Sequence, residues 1–409
     1  MSDEKNPRRL GLWLVGARGS IAACVAYGLA GLRQGLVEPL GLVTAREPLL
    51  HLPLVDLDAL VLGGHEVVSR SLTDSAGQLV RLGVLSPDLV AASATEAAAY
   101  DARIRPGVLD GPDVGWAELH QEAARLGAAP PREQVQQLRG DLESFQREHE
   151  LERVVVVNLA STEACRDESP EWSDLTAFEA ALDAGRPQPA SLIYAYAALG
   201  AGHPYVNFTP NRGASPPALR ELALERGVPH CGSDGKTGET LLKTVLAPLF
   251  VARGLRVLSW QGYNMLGNRD GEVLADPVHR QSKLHNKDEA LRSILGDPET
   301  HTAVGIDYVP SLGDWKTAWD FIHFQGFLGA RMSLQFTWQG SDSALAAPLV
   351  LDLARLTDFA AERGESGVMA HTASFFKSPL AGGEHDFYSQ HARLLEYARR
   401  HHPLSLIHI

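Results

Sequence analysis

The chain has 409 residues and contains little lysine. Only seven of its 37 basic residues are lysine, and none lies between Lys5 and Lys236. A GC-rich genome, which replaces surface lysine by arginine, would explain this scarcity. A second explanation is that lysine is kept where an amino group must exchange a proton, because arginine stays charged at all ordinary pH values. The two explanations are compatible, and both stay open at this point.

Cysteine is also scarce, and positive charge is outweighed by negative charge. Cys24, Cys165 and Cys231 form no Cys-x-x-Cys pair, which argues against a disulfide framework and a four-cysteine zinc site. The net charge of -13 argues against a nucleic-acid partner, which requires a basic face, but permits a small anion in a local positive pocket. No apolar run reaches membrane-spanning length and the N-terminus is polar, so we predict a cytoplasmic protein.

The first recognisable element is an apolar segment followed by a glycine turn. Residues Leu10–Val15 have the length of a strand, and a turn at 16–22 leads into a helix rich in small residues. This order is typical of a dinucleotide-binding fold, in which the turn approaches a pyrophosphate at a helix N-terminus. Because the spacing is GxxGxxA rather than GxGxxG, a plain tight turn remains the alternative.

Further apolar segments predict two sheets. Those at 59–62, 153–157 and 205–208 end in small polar residues, as in a parallel sheet that binds ligands at the carboxyl ends of its strands. Beyond residue 255, segments at 255–263, 302–309, 319–327 and 332–338 predict an open sheet. The last of these alternates strictly, which predicts a strand with one buried face. Residues 404–409 form an apolar tail that we interpret as non-native.

The segments that contain lysine are the candidates for catalysis and ligand binding. The turn at 232–239 is not a Walker A motif, because His230 stands where glycine is required, yet it precedes a predicted helix and can bind an anion. Lys283 and Lys287 are spaced to share one helix face, where like charges lower a pKa; a solvated basic face is the alternative. Lys316 and Lys377 each stand beside bulky aromatic residues. One interpretation is a buried catalytic amino group, and the alternative is an amphipathic lysine that lies over the rings with its charged head in water.

Together these segments resemble the myo-inositol-1-phosphate synthase (inositol-3-phosphate synthase) family. The matching motifs are the glycine loop (16–22), Asn-x-x-x-Thr-Glu (158–163), Asp-x-Lys-Thr-Gly (234–238), Tyr-Asn-x-Leu-Gly-Asn-x-Asp-Gly (263–271), the Ser-Lys segment (282–287), Val-Pro-x-x-Gly-Asp-x-Lys (309–316) and Asp-Ser-x-Leu-Ala-Ala-Pro-Leu (342–349). Each motif alone is weak, but the ordered set spans residues 16 to 380 and is specific.

The resemblance implies a fold and an activity. The fold would be α/β, with a Rossmann-like NAD-binding domain (1–238 and 341–403) and an inserted α+β catalytic and oligomerisation domain on an open sheet (239–340). The enzyme would convert D-glucose 6-phosphate to 1D-myo-inositol 3-phosphate by internal oxidation with NAD, enolisation, aldol closure and reduction. The enolate formed on the way requires preorganised positive charge. A homotetramer is also implied, and so is room for a divalent metal or monovalent cation.

The resemblance also implies the site residues. The catalytic set is Lys283, Lys287, Lys316, Lys377, Asp234, Asp270 and Asp342. The substrate-binding set is Lys236, Thr237, Asn264, Leu266, Gly267 and Asn268. The cofactor-binding set is Gly16, Ala17, Arg18, Gly19, Ser20, Ile21, Asn158, Thr162, Asn207, Thr209, Asn211 and Asp314.

Some residues depart from the family pattern. Arg18 and Ser20 stand in the glycine loop, Trp260-Gln-Gly precedes the Tyr-Asn pair, and Trp315 lies inside the Gly-Asp-x-Lys motif. An alternative is therefore a two-domain NAD(P)-dependent oxidoreductase acting on another phosphorylated sugar or a semialdehyde. Four lysines exceed what simple hydride transfer requires, which favours the synthase.

Overall fold

The computed structural model describes residues 8–109, 119–163, 167–267 and 291–402. Four residues of the predicted site, Asn268, Asp270, Lys283 and Lys287, lie outside the described residues, as does the tail at 404–409.

Seven strands of the described chain form one parallel sheet. They are β1 (Leu10–Val15), β2 (Leu60–Glu66), β3 (Ile104–Pro106), β4 (Arg153–Asn158), β5 (Tyr205–Asn207), β6 (Pro229–Gly232) and β11 (Gly367–Val368). Their order is β3-β2-β1-β4-β5-β6-β11, and every neighbouring pair is parallel. From β1 the chain adds strands first toward β3 and then, starting with β4, on the opposite side, so the strand order reverses between β1 and β4. In such sheets ligands bind in the crevice at this point. This confirms the predicted α/β class.

Helices cover both faces of this sheet. They are α1 (Ser20–Arg33), α2 (Leu72–Arg81), α3 (Pro87–Ala92), α4 (Ala94–Asp101), α5 (Gln121–Gly127), α6 (Pro131–Glu148), α7 (Leu175–Asp183), α8 (Ala190–Gly200), α9 (Pro217–Glu225), α11 (Asp342–Glu362) and α12 (Phe387–His401). Along β1, Leu12 and Leu14 join the core under α1 and α11, whereas Trp13 joins the core under α6 and α8. Strands that are buried on both faces read as continuous apolar runs, which is why β1 was recognisable.

Within the described ranges, a second sheet has four strands, and a helix packs on it. The strands are β7 (Arg256–Leu266), β8 (His301–Tyr308), β9 (Trp315–Gln325) and β10 (Arg331–Ser341), in the order β10-β9-β7-β8, and the helix is α10 (Glu239–Ala252). Strands β7 and β8 are parallel, and the other two pairs are antiparallel. Phe250 of α10 packs on Trp260 and Ile322 of the sheet. This confirms the predicted second sheet.

The prediction of a buried face along residues 332–338 is confirmed only in part, because Phe336 and Trp338 are partly buried and the first half of the strand is exposed. The strand exists, but Met332 is 41% exposed and Leu334 is 37% exposed. Strand β10 is an edge strand, and Phe336 packs against the core of the second sheet whereas Met332 and Leu334 stay exposed. The short strands β3, β6 and β11 were not predicted, because two to four residues carry no readable periodicity. Among the described helices, none is both long and apolar enough to cross a bilayer.

Candidate active site

The glycine loop lies at the carboxyl end of β1, as predicted. Gly16 has a φ of 85°, and its amide and that of Ala17 both donate to the carbonyl of His65 at the end of β2 (2.9 and 3.1 Å). A Cβ on Gly64 would lie 2.3 Å from the Leu14 carbonyl oxygen, so the two strand ends approach as closely as glycine permits. Helix α1 then begins after Gly19, which provides no side-chain cap. This leaves a backbone cradle that fits a pyrophosphate.

Arg18 does not obstruct this cradle, although it departs from the family pattern. Its guanidinium Nε donates to Asp101 (2.8 Å), and its amide donates to Glu66 (2.8 Å). The Glu66 carboxylate also accepts the amides of Val67 and Val68. Glu66, which sequence reasoning missed, therefore fixes the glycine loop to the end of β2. Ser20 and Ile21 are the first two residues of α1.

The strand ends of β4 and β5 carry a network of amide and hydroxyl groups. The Asn207 Oδ1 accepts from the Thr209 amide and hydroxyl (3.2 and 2.7 Å), and Asn158 Nδ2 donates to Thr209 (3.4 Å). Asn211 Nδ2 donates to the Ser161 carbonyl (3.0 Å). The structure thus brings together the residues predicted there, including the buried Thr162. Several of their hydrogen bonds hold the strand-end loops to each other.

Two separate segments interlock to form the turn that carries Lys236 and Lys377. The Lys236 amide donates to the Phe375 carbonyl (2.8 Å), and the Lys377 amide donates to the Asp234 carbonyl (2.7 Å). Asp234 has a φ of 63°, and its carboxylate accepts from the Lys377 ammonium at 2.9 Å. Both lysines are buried, with 2% and 8% exposure. Lys377 is therefore paired with Asp234, and both belong to the predicted catalytic set.

The Lys236 side chain contacts helix α12. Its ammonium donates to Gln390 Oε1 (2.7 Å) and lies 5.9 Å from the centroid of the Phe387 ring. Burial, together with the charge of Lys377, lowers the pKa of Lys236 to about 7. Neither Gln390 nor Phe387 was predicted, because no local pattern links positions so far apart in the chain.

Lys316 and Asp342 join the second sheet to the substrate turn. The Lys316 ammonium on β9 lies 3.6 Å from Asp342 Oδ2, at the first residue of α11. The other Asp342 oxygen accepts from the Thr237 hydroxyl at 3.0 Å. Asp342 therefore connects two predicted site residues that come from different elements.

Asp314 lies directly beside this pair. Its carboxylate accepts from the hydroxyls of Ser341 (2.5 Å) and Ser343 (2.7 Å). Burial, with the nearby charge of Asp342, raises the pKa of Asp314. The charge of Asp314 also adds to the effect of burial in raising the pKa of the Cys24 thiol. Cys24 belongs to α1, the helix that follows the glycine loop, so the charge of Asp314 acts on that helix.

The end of β7 lies at the same region. Asn264 is fully buried and donates to the Gly305 carbonyl (3.4 Å), and Leu266 pairs in register with Lys316. A Cβ on Gly267 would lie 2.4 Å from the Gly313 amide nitrogen, so the loops preceding Asn268 and Asp314 touch. The structure therefore brings Asn264, Leu266 and Gly267 to Lys316, as predicted for one site.

Two further residues at the site were missed by the sequence reasoning. The Trp315 indole donates to the Leu82 carbonyl after α2 (2.7 Å), which ties the strand carrying Lys316 to the seven-stranded sheet domain. The Thr240 hydroxyl, in the first turn of α10, is buried and has no hydrogen-bond partner among the described residues. An orphan hydroxyl at the start of a helix is suited to an anionic ligand.

The described histidines do not form a metal centre. His65 accepts from the Trp13 indole (2.8 Å) and pairs with Asp141 (3.1 Å) inside the core. Burial lowers the pKa of His230 to about 4, which keeps its ring neutral. Within the described ranges, no group of three or more histidine, cysteine, aspartate or glutamate residues is placed to hold a metal ion. His279 and His285 lie outside those ranges.

Comparison with known proteins gives a consistent result. The sequence model of the myo-inositol-1-phosphate synthase family matches residues 10–399. The inositol-3-phosphate synthase 1 of Bacteroides thetaiotaomicron is 34% identical over 412 residues, covering 93% of each chain. The inositol-3-phosphate synthase of Spirodela polyrhiza is 33% identical over 75% of this chain and 61% of its own length. The chain thus aligns with nearly all of the bacterial relative but with about three fifths of the plant one.

Solved structures show the same fold. The inositol-3-phosphate synthase of Caenorhabditis elegans superposes with a TM-score of 0.85 at 24% identity, over 97% of this chain and 86% of its own. A myo-inositol-1-phosphate synthase-related protein from Thermotoga maritima gives a TM-score of 0.75 at 24% identity, over 96% and 98% of the two chains. At this identity the likeness establishes the architecture.

Proposed function

The chain belongs to the myo-inositol-1-phosphate synthase family, and on this premise we propose how its residues carry out the NAD-dependent cyclisation of D-glucose 6-phosphate to 1D-myo-inositol 3-phosphate. The observation that carries the proposal is the pair of buried lysines, Lys316 and Lys377, each set against a carboxylate. Buried charges are costly unless they are paired, so such pairs are typical of a working site.

The glycine loop and the strand ends fit NAD. The loop at 16–21 would hold the pyrophosphate through its backbone, and the network around Asn158 and Asn207 would support the rest of the cofactor. Asp314 would face the cofactor from the second sheet. When bound, NAD supplies reversible oxidation at C5 of the sugar.

The chain's lysines would stabilise charge that develops on the substrate. A C5 ketone makes the C6 proton acidic, and loss of that proton places negative charge on the C5 oxygen. Ammonium groups that are fixed in advance stabilise this charge without reorganisation. Lys316 and Lys377, held by Asp342 and Asp234, would act in this way. Lys283 and Lys287, which lie outside the described residues, would complete the set by family resemblance.

The start of α10 would bind the substrate phosphate. Thr237 and Gly238 precede the helix, and the orphan hydroxyl of Thr240 lies in its first turn. Helix N-termini attract anions through free amides and the helix dipole. Asn264 and Gly267 border the same region from β7.

The decisive experiment is turnover with a redox balance. The purified protein is incubated with glucose 6-phosphate and catalytic NAD, and periodate-sensitive inositol phosphate and NADH are measured together. We expect inositol phosphate with no net NADH. Net NADH without inositol phosphate would instead support the two-domain oxidoreductase, and neither product would contradict both.

The finer expectations on organisation remain proposals. We propose the domain division at 1–238, 239–340 and 341–403, since β7 to β10 form a sheet of their own. We also propose a homotetramer formed through this sheet, supported by exposed aromatic side chains at Tyr263 and Trp319 (40% and 41%). Light scattering of the protein would test the tetramer. The cytoplasmic location and the bound cation stay predictions.

A further inference from the structure

Three charged side chains are buried together between α10 and the second sheet. The Lys243 ammonium lies 2.7 Å from Glu239 Oε1, one helical turn earlier, and 3.7 Å from Asp320 Oδ1 on β9. Lys243 is 1% exposed, and both carboxylates are fully buried. Lys243 and Lys5 are the two lysines that have no role in the chemistry proposed above.

Strand β7 is shaped to make room for this cluster. A Cβ on Gly262 would lie 2.4 Å from Glu239 Oε1 and 2.5 Å from the Lys243 ammonium. The indole of Trp260 donates to Asp320 Oδ1 at 2.7 Å. Trp260 and Gly262 belong to the Trp-Gln-Gly segment that departs from the family pattern, so this departure accompanies the buried charges.

Packing alone does not explain the cluster. Its neighbours in the core include Ala247, Phe250 and Ile322, all apolar and buried. Apolar residues of similar volume usually replace a buried ion pair without loss of stability. The charges therefore call for a reason other than filling this space.

The position of Glu239 suggests that reason. Glu239 is the first residue of α10 and follows Gly238, the N-cap of the helix. A carboxylate in the first turn counteracts the positive end of the helix dipole, which weakens attraction for any other anion. Glu239 is turned toward β7, where Lys243 offsets its charge and part of that of Asp320.

We propose that Lys243 is a positioning residue for the substrate phosphate. It holds Glu239 against the second sheet and offsets the two buried carboxylates behind the first turn of α10, so that this turn remains attractive to a phosphate. The proposal rests on the proposed function, because that function places the phosphate at this turn. It adds a residue that does not itself touch substrate.

The test compares Lys243→Met with the double variant E239Q/K243M, using Arg253→Met as the control. Arg253 follows the last residue of the same helix and is exposed. The KM for glucose 6-phosphate, kcat and the NAD dissociation constant are measured, together with the inhibition constant of inorganic phosphate and the melting temperature.

For Lys243→Met we expect about a tenfold rise in the KM and in the phosphate inhibition constant, because two buried carboxylates lose their counter-charge. The NAD dissociation constant should stay within about twofold, as for Arg253→Met. The double variant should recover most of the phosphate affinity. A folded Lys243→Met protein with unchanged KM and phosphate inhibition would overturn the proposal, as would a lower melting temperature with only kcat affected.

Two controls keep the outcome interpretable. If Lys243→Met does not fold, Glu239→Gln tests the proposal in its place. This change removes one negative charge and keeps the shape of the side chain. Phosphate inhibition should then become about threefold tighter, and unchanged or weaker inhibition would overturn the proposal. A wild-type protein that makes no inositol phosphate would contradict the proposed function instead, while phosphate binding measured by calorimetry would still test the role of Lys243.

Discussion

The predicted cofactor and substrate regions of this protein present their candidate site residues in different ways. At the ends of β1, β4 and β5 the groups are backbone amides, glycines and neutral amide side chains. From the end of β6 to the second sheet they are buried charges, with Lys377, Lys316 and Asp320 among them. The first arrangement binds by shape and backbone dipoles, and the second supplies full charges.

This difference explains where the sequence tolerates departures from the family pattern. Arg18 enters the glycine loop without disrupting it, because its guanidinium pairs with Asp101 at the end of α4 and its amide is held by Glu66. The side chain of Trp260 on the second sheet is instead part of the buried charged cluster, because its indole donates to the buried Asp320. A backbone site accepts changes of side chain, whereas a charged site requires each change to be matched.

The largest expected effect tests the charged side of the comparison. Lys316→Arg and Lys377→Arg should each fold and bind NAD, yet lose about 100- to 1000-fold in inositol phosphate production. Arginine keeps the charge, but its larger planar group does not place a point charge at the same position or exchange protons. Turnover is compared with Lys5→Arg, which should be fully active. Near wild-type activity in either variant would show that positive charge alone suffices.

The next largest effect tests the region that binds through its backbone, at the ends of β1 and β2. Gly64→Ala should lower the unfolding free energy by about 1–3 kcal/mol and weaken NAD binding, because the new Cβ would meet the Leu14 carbonyl. Gly28→Ala in α1 is the matched control, since nothing lies within 4 Å of its Cβ. That change should stabilise the protein by about 0.5–1 kcal/mol. Urea unfolding and NAD titration measure both, and equal effects of the two variants would contradict the close approach.

A smaller effect concerns the buried Lys236. Its pKa is about 7 in the folded protein against an ordinary value of 10.5, so between these values the unfolded chain holds the extra proton. The unfolding free energy should therefore rise with pH across this window, by at most about 1.4 kcal/mol per unit. Lys236→Met should remove this contribution to the slope between pH 7 and 9, whereas Lys5→Met should retain it. Equal slopes in all three proteins, measured by urea unfolding, would contradict a buried, deprotonated Lys236.

The sequence predicted the parts of this site that have local patterns. The apolar run and glycine turn at β1 were readable because a strand buried on both faces leaves no polar interruption. The lysine motifs identified Lys316 and Lys377, and the structure brings each to a predicted carboxylate. The positions of Lys283 and Lys287 lie outside the described residues and stay predictions.

What was missed depends on contacts between distant segments. Glu66 binds the Arg18 amide, and Lys236 binds Gln390, 154 positions along the chain. No periodicity encodes such partners, since they are set by which loops meet at a sheet edge. The exposure of Met332 was missed for a related reason, because alternation shows that a face is apolar and not what covers it.

The smallest expected effect separates side chain from backbone within the glycine loop. Arg18→Ala should change the NAD dissociation constant by less than about threefold, because the Arg18 guanidinium is held by Asp101 and its side chain is not part of the backbone cradle. Glu66→Gln should weaken NAD binding by about tenfold, since one oxygen that accepts backbone amides is replaced by a donor. Fluorescence titration with NAD measures both. If Arg18→Ala were the more damaging change, the cofactor region would depend on a side-chain charge as well, and the contrast between the cofactor and substrate regions would fail.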